Sequence, residues 1–362
     1  MNSILHHLKK MDWLLVVSAI LLFSFGMISL YSSSQGRGDF LNFQKQLIFF
    51  IVAILVMLLF SFLDWRMFKE DPYLILSFYI LSCLALAGLF WFAPAIRGIK
   101  SWYKLGPLSI DPIEFTKIVL IILLAKYFSM RHVEMYRIFH ILLSGFYILI
   151  PVALIFFQPD MGSSLIIIAL WVGILIVSGI EIRHFLLLVL CFFLIFVFSW
   201  NNLLKDYQRE RVLNFFVPQE PLGAGWSQAQ AKIAIGSGGV WGKGFGQGSQ
   251  TQYGFLSEPQ TDFIFAAIAE EFGLIGVSVL LILFLILIWR IIKIAIDSQS
   301  NFPRLFASGF SIILIAQIFI HIGMNIGLLP IIGISLPLVS YGGSGLIANF
   351  AALGILQSIK TY

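Results

Sequence analysis

Charge is what this sequence has least of. Of its 362 residues, 11% are Asp, Glu, Lys or Arg, against 59% that are hydrophobic. With a mean hydropathy of +0.95, there is too little polar surface to cover a soluble globule, and that class is excluded. Cysteine is scarce too. Cys83 and Cys191 fall in different hydrophobic runs and form no CxxC, so no disulfide framework or thiolate metal site is indicated and both read as small packing residues. His132, His140, His184 and His321 are scattered, with no HxxxH and no Glu at ligand spacing, which argues against zinc. GxGxxG does not occur. The nearest approach to a nucleotide-binding P-loop, residues 237–244, lacks its first Gly and its closing Ser/Thr and follows no strand. The pI near 9.1 reflects cations flanking the hydrophobic runs and gives no reason to invoke nucleic acid.

What the chain does have is hydrophobic runs of membrane-spanning length, about 20 residues each. Ten are expected, at 13–33, 45–63, 73–93, 113–129, 138–157, 161–180, 184–200, 262–289, 305–326 and 342–358. The fold class is therefore an all-α polytopic membrane protein, a single membrane domain over 1–362 with one large extracytoplasmic loop, about 201–261, between the seventh and eighth spans. The basic lead-in MNSILHHLKK precedes a run longer than a signal-peptide core, so the first span is expected to stay uncleaved with its start in the cytoplasm. Ten spans then bring the C-terminus back to that side. With the long loop set aside, short loops hold twelve basic residues inside against six outside, in line with the positive-inside rule.

The chain is organised around residues 254–273, GFLSEPQTDFIFAAIAEEFG, where a polar loop turns into a membrane helix. Asp262 stands at the turn. It is either a helix cap, since first-turn amides favour an acid, or a functional carboxylate. Other segments gather on the same outer side. The loop RGIKSWYKLGPLSIDP breaks the orientation rule with Arg97, Lys100 and Lys104, which with Trp102 fit either an anionic phosphate ligand or snorkelling cations in an aromatic belt. Glu114 and Lys117 share a helix face just inside a span, as cavity lining or as an interhelical lock. Asp160, in the tight QPDMGSS hairpin, is either a cap or part of a site. Residues 226–235 have the periodicity of a helix lying on the membrane surface. The Gly-rich run of 236–254 that follows, with Lys243, is either a flexible loop or a phosphate cradle. The stretch NIGLLPIIGISLPLVSYGGS, 325–344, reads as broken backbone lining a cavity.

These motifs resemble the SEDS family of shape, elongation, division and sporulation proteins (RodA, FtsW, SpoVE). The resemblance runs over essentially the whole chain and is carried by EPQTDFIFAAIAEE at 258–271, AIGSGGVWGKG at 234–244, QPDMGSS at 158–164 and GLLPIIGISLPLVSYGGS at 327–344; FLSEPQTDF is closer to the RodA branch. It implies a peptidoglycan glycosyltransferase of the bacterial cytoplasmic (inner) membrane, polymerising lipid II for cell elongation. It matches Asp262 to the family's essential aspartate, and Trp102, Glu114, Lys117, Gln158 and Asp160 to positions around the central cavity. Ser340, in the last motif, is grouped with these, with Arg97, Lys100 and Lys243, as substrate-binding. Ser101, Asp111, Ser257 and Gly345 depart from the usual Arg, Gln, Pro and Ser. The implied partners are lipid II, a class B penicillin-binding protein and other elongation-complex proteins. A divalent cation (Mg or Mn) would be held mainly by substrate phosphates, with no protein metal cluster. The alternatives are a lipid II flippase or other transporter, a division-specific FtsW-type polymerase, and a scaffold for the transpeptidase.

Overall fold

The computed structural model describes residues 7–94, 102–106, 108–131, 138–202, 209 and 224–362. In chain order its helices are α1 (Trp13–Arg37), α2 (Leu41–Phe62), the short α3 (Arg66–Glu70), α4 (Pro72–Phe92), α5 (Pro112–Arg131), α6 (Ile138–Phe157), α7 (Met161–Val177) and α8 (Ile182–Asn202). After these come α9 (Ala224–Gly238), the single turn α10 (Ser249–Gln252), α11 (Ile264–Asp297), α12 (Asn301–Ile326) and α13 (Gly343–Thr361). Between α4 and α5 a two-stranded antiparallel ribbon, β1 (Tyr103–Leu105) and β2 (Leu108–Ile110), pairs Tyr103 with Ile110.

A helix stands at each of the ten expected stretches. Among the described residues seven are long and apolar enough to cross a membrane: α1, α2, α4, α6, α8, α11 and α12. The protein is thus a multi-pass helical membrane protein. The other three are α5, which carries Glu114 and Lys117, α7, which is 17 residues long, and α13. Helix ends follow local chemistry. Asp12, Asp71 and Asp160 each accept a first-turn amide, and Gly38 and Gly327 close α1 and α12 in the left-handed conformation.

The buried core centres on α12, where Phe302, Phe306 and Phe310 are enclosed, and on α13, which lies along α2. Small residues bring those two together: a Cβ at Gly354 would press on the Met57 backbone, and one at Gly343 on the Phe49 ring. At the end of the bundle far from Asp262, the Asp12 carboxylate receives the Arg290 guanidinium, while Gln357 exchanges two hydrogen bonds with the Asp12 backbone, at 2.8 and 3.0 Å. That cluster ties α1, α11 and α13 together.

Helix α11 is broken at Gly273 (φ 62°, ψ −161°). Backbone groups freed by a break inside a membrane need other partners, and the Gly-rich segment supplies them. The amides of Leu274 and Ile275 donate to the carbonyls of Gly239 and Val240, at 2.9 and 3.2 Å, and those of Lys243 and Gly244 donate to Glu270 and Glu271, both at 3.0 Å. The glycines are there because the chain runs against the helix backbone: Gly242 has φ +81°, and a Cβ on it would overlap the Glu271 carbonyl. The segment is therefore a seal on a broken helix.

The two glutamates that interrupt the apolar run of α11 hold this seal from inside. Glu270 accepts from the amides of Gln250 and Thr251, at 2.9 and 3.0 Å, and pairs with Lys243 Nζ at 3.1 Å. Glu271 accepts from the Ser32 hydroxyl and from Gln252 Nε2. Helix α9 also differs from expectation. It is not an isolated surface helix but packs on α11, where Ala231 and Ala234 cluster with Ala266 and Ala267 and a Cβ on Gly238 would overlap the Ala269 carbonyl.

The seal generates a prediction. Gly242→Ala forces a side chain into the left-handed region, which costs about 1–3 kcal/mol before the overlap with Glu271 is counted, and should lower the unfolding temperature in detergent. Gly236→Ala, where a Cβ meets nothing within 4 Å, should be neutral or stabilising. Equal effects of the two would contradict the seal.

Candidate active site

A cavity of about 630 Å³ opens on the face where α11 begins. Trp102, Ser109 and Asp111 line it from the ribbon and its exit, Glu114 and Lys117 from α5, Asp160 and Ser163 from the α6–α7 turn. Glu258, Thr261 and Asp262 contribute from the loop before α11, and the irregular 330–345 stretch covers the rest. The outer segments singled out in the sequence, except residues 226–235 and the Gly-rich run, thus meet at one place.

Asp262 is fixed through its backbone. The loop that carries it folds on itself, with the amides of Thr261 and Phe263 donating to the Glu258 carbonyl. Two elements then clamp the loop: from α12, Asn325 Nδ2 donates to the Asp262 carbonyl at 2.9 Å, and from the 330–345 stretch Ser340 Oγ donates to the Thr261 carbonyl at 2.9 Å and the Tyr341 amide to the Gln260 carbonyl at 2.9 Å. From the opposite side Asn42 Nδ2 donates to Gln260 Oε1 at 2.7 Å. Such a clamp fixes the backbone from which the side chain projects. Nor is Asp262 the N-cap of α11. That position is Phe263, which makes no capping bond, and the Ala266 amide donates to Asn325 Oδ1 at 3.2 Å.

The second group is Lys117 with its carboxylates. Lys117 Nζ bonds Glu114 Oε1 at 2.7 Å, with the lysine side chain only 3% exposed. Asp111 and Asp160 lie close enough to feel both charges. Burial pushes the Asp111 carboxyl well above its ordinary range, Glu114 adds to the rise, and the Ile113 amide and Lys117 oppose it. Burial also raises Asp160, against the two hydrogen bonds it accepts from Ser163. Lys117 is the one cation among the described lining residues, which otherwise bring five carboxylates.

The expected substrate contacts divide on this geometry. Trp102, Glu114, Lys117, Asp160, Asp262 and Ser340 all line the cavity. Ser340 does so with its hydroxyl engaged, donating to Thr261 and accepting from the Leu336 amide at 2.9 Å. Two residues stand elsewhere. Gln158 is buried with its amide on the Leu86 carbonyl at 2.6 Å, turned inward where the hairpin reverses the chain. Lys243 bonds Ser249 Oγ and Glu270 at the helix seal, because the buried Glu270 demands a cation. Arg97 and Lys100 lie outside the described residues. Asp111, Glu258 and Asn325 also stand at or beside the site, though the sequence reading named none of them as a site residue. Asp111 could have been marked as an acid in front of a helix-starting Pro, whereas the bond of Asn325 to Asp262 is visible only in three dimensions. Among the described residues no group of three or more His, Cys, Asp and Glu could hold a metal ion.

A helical bundle that crosses the membrane several times and encloses, on one face, a carboxylate-lined cavity around a clamped Asp defines a multi-pass membrane protein with an enzyme-like site. A family described as cell cycle protein, covering FtsW, RodA and SpoVE, matches residues 11–362, and the chain belongs to that family. It is 36% identical over 351 residues to peptidoglycan glycosyltransferase MrdB of Escherichia coli (strain K12), covering 96% of this chain and 92% of that protein. It is 33% identical over 368 residues to stage V sporulation protein E of Bacillus subtilis (strain 168), covering 97% of each. Among solved structures it resembles a chain of a peptidoglycan synthase complex that coordinates polymerization and crosslinking, with TM-score 0.82 and 30% identity over 97% of each chain. It also resembles Thermus thermophilus rod shape determining protein RodA, with TM-score 0.72, 29% identity, and 97% and 96% of the two chains covered.

The raised Asp111 carboxyl makes stability depend on pH. A carboxyl whose folded value lies above its unfolded value of about 3.9 contributes stability below that value and loses it as pH rises through the folded value. Thermal stability of the native chain should therefore fall as pH rises out of the acid range. Asp111→Asn, which keeps an acceptor for the Ile113 amide (2.9 Å), should flatten that slope and raise the unfolding temperature at neutral pH. A slope unchanged by the substitution would contradict the burial of Asp111 as an acid.

Proposed function

We propose that this chain is a peptidoglycan glycosyltransferase of the elongation type, polymerising lipid II into glycan strands with release of undecaprenyl pyrophosphate. The observation that carries the reading is Asp262, a carboxylate at the wall of the cavity on a loop that α2, α12 and the 330–345 stretch all hold. The enzyme relatives named above support the reaction class. In the proposed step the 4-hydroxyl of one lipid II attacks the anomeric carbon of a lipid-linked donor. The new C–O bond forms as the bond to pyrophosphate breaks, and the hydroxyl proton passes to Asp262 as general base. The leaving group is already activated, so a second carboxylate acting as acid, as in glycosidases, is not required.

Lys117, held by Glu114, is positioned to stabilise the departing pyrophosphate, and Arg97 and Lys100 are proposed to add charge from the loop between α4 and β1. Trp102 offers a ring at headgroup level. A divalent ion, if used, would enter on the substrate phosphates. The described lining supports one further point: it brings a single cation, Lys117, to a pyrophosphate, so the proposed further counter-charge comes from that loop or with the substrate.

The chain is taken as one membrane domain over 1–362, with ten spans, the 201–261 loop outside and both termini cytoplasmic in the bacterial inner membrane. Its proposed partner is a class B penicillin-binding protein that cross-links the strand, with other elongation-complex proteins around it.

Asp262→Asn, in purified chain with its partner, should cut lipid II polymerisation by about 10²–10⁴-fold, the usual loss for a general base. Folding and partner binding should stay unchanged. Polymerisation at the native rate would remove Asp262 from the chemistry and direct attention to Asp160 and Glu114.

A further inference from the structure

Between α11 and α12 a side-chain amide stands where a helical hydrogen bond would run. In an α-helix the amide of residue 266 bonds the carbonyl of residue 262. Here the Ala266 amide donates to Asn325 Oδ1 at 3.2 Å, and Asn325 Nδ2 donates to the Asp262 carbonyl at 2.9 Å. The other Nδ2 hydrogen goes to the His321 carbonyl, 2.8 Å away and one turn earlier in α12. Chemistry fixes the orientation of the amide, since exchanging its O and N would set oxygen against two carbonyls and N–H against N–H. Asn325 is 0% exposed, so water does not compete for these partners. An inserted side chain of this kind interrupts the i to i−4 ladder.

The consequence falls on Asp262. A residue whose carbonyl accepts the first intrahelical bond is the N-cap, and Asp is among the residues most favoured there, its carboxylate turning back to the first-turn amides. Were the 262–266 bond to form, α11 would lengthen and Asp262 would be drawn into that role. We infer that Asn325 is a positioning residue for Asp262: its amide, inserted between the Asp262 carbonyl and the Ala266 amide, stops α11 at Phe263 and keeps the Asp262 carboxylate for the cavity. The local preference of the sequence for an Asp cap is thereby overruled by a residue more than sixty positions away. The inference rests on the role proposed for Asp262.

The test uses the full chain with its partner and lipid II. Asn325→Leu keeps the approximate shape of the side chain and removes the bridge. Expected are a turnover lowered about 10–100-fold, the scale of a small misplacement of a catalytic group, little change in KM, and a shift of the acid limb of the rate profile to lower pH. The shift follows because amides bonded to a carboxylate favour its charged form. Among the described residues the other titratable groups near Asp262 are Glu258 on its own loop, Asp111, Glu114 and Lys117 at α5, Asp160 at the α6–α7 turn, Tyr341 on the 330–345 stretch and His321 on α12. All are the same in both proteins, so a shift is assigned to Asp262. Native turnover, or a lowered turnover with an unmoved acid limb, would overturn the inference and leave Asn325 a packing residue. Should Asn325→Leu fail to fold, Asn325→Ala removes the same bridge without crowding. Asp262→Asn in the same assay separates the two claims. If it polymerises normally the base assignment fails, whereas if it is inactive and Asn325→Leu keeps the native profile, only the positioning role fails.

Discussion

The constraint on which this structure depends is that backbone polar groups inside a membrane must find partners within the protein. The chain breaks its own helices at several points near the cavity, and each break is met by a specific donor or acceptor. At Gly273 the partner is the backbone of 239–244. At the start of α11 it is the Asn325 amide. Along 336–341 it is the Ser340 hydroxyl, bonded to Leu336 and Thr261. Because the partners come from distant parts of the chain, the cavity wall is held by the whole bundle and not by any one loop.

Scarcity of charge follows the same logic. A buried ion is costly unless it is paired, and breaking such a pair leaves an uncompensated charge. The buried charges here are spent at joints: Asp12 with Arg290 at one end of the bundle, Glu270 with Lys243 at the helix seal, Glu114 with Lys117 in the cavity. Among the described residues that line the cavity, five carboxylates, Asp111, Glu114, Asp160, Glu258 and Asp262, meet one cation, Lys117. That imbalance marks the site more sharply than any single residue does.

The helices were legible because a membrane span announces itself by length and apolarity alone, and Asp262 because it is an acid where a polar loop enters such a run. Other features depend on contacts between distant residues and so were not. The Gly-rich run was open between flexible loop and phosphate cradle, since nothing in 236–254 tells that its partner is a helix kink thirty residues on. The sequence reads Lys243 as substrate-binding, and its buried counter-ion, Glu270, is a neighbour only after folding. Gln158 matched a cavity position in its motif, yet the hairpin turns it onto Leu86. Residues 226–235 had the pattern of a surface helix, but their alanines allow a packing that hydrophobic periodicity cannot register. Asp111, noted in the sequence as a departure from the usual Gln, turns out to stand in the wall of the site.

A bundle of this kind with broken helices could also carry a lipid across the membrane, or serve as a scaffold for a cross-linking enzyme. The enzyme account is favoured by the concentration of clamped polar groups on one face. The most direct measurement is strand formation from labelled lipid II by the purified chain, together with a partner whose transpeptidase serine has been replaced, so that the strands are read without cross-linking. Glycan strands in that mixture are the result the account predicts. Folded, partner-bound protein that leaves lipid II unpolymerised would contradict it.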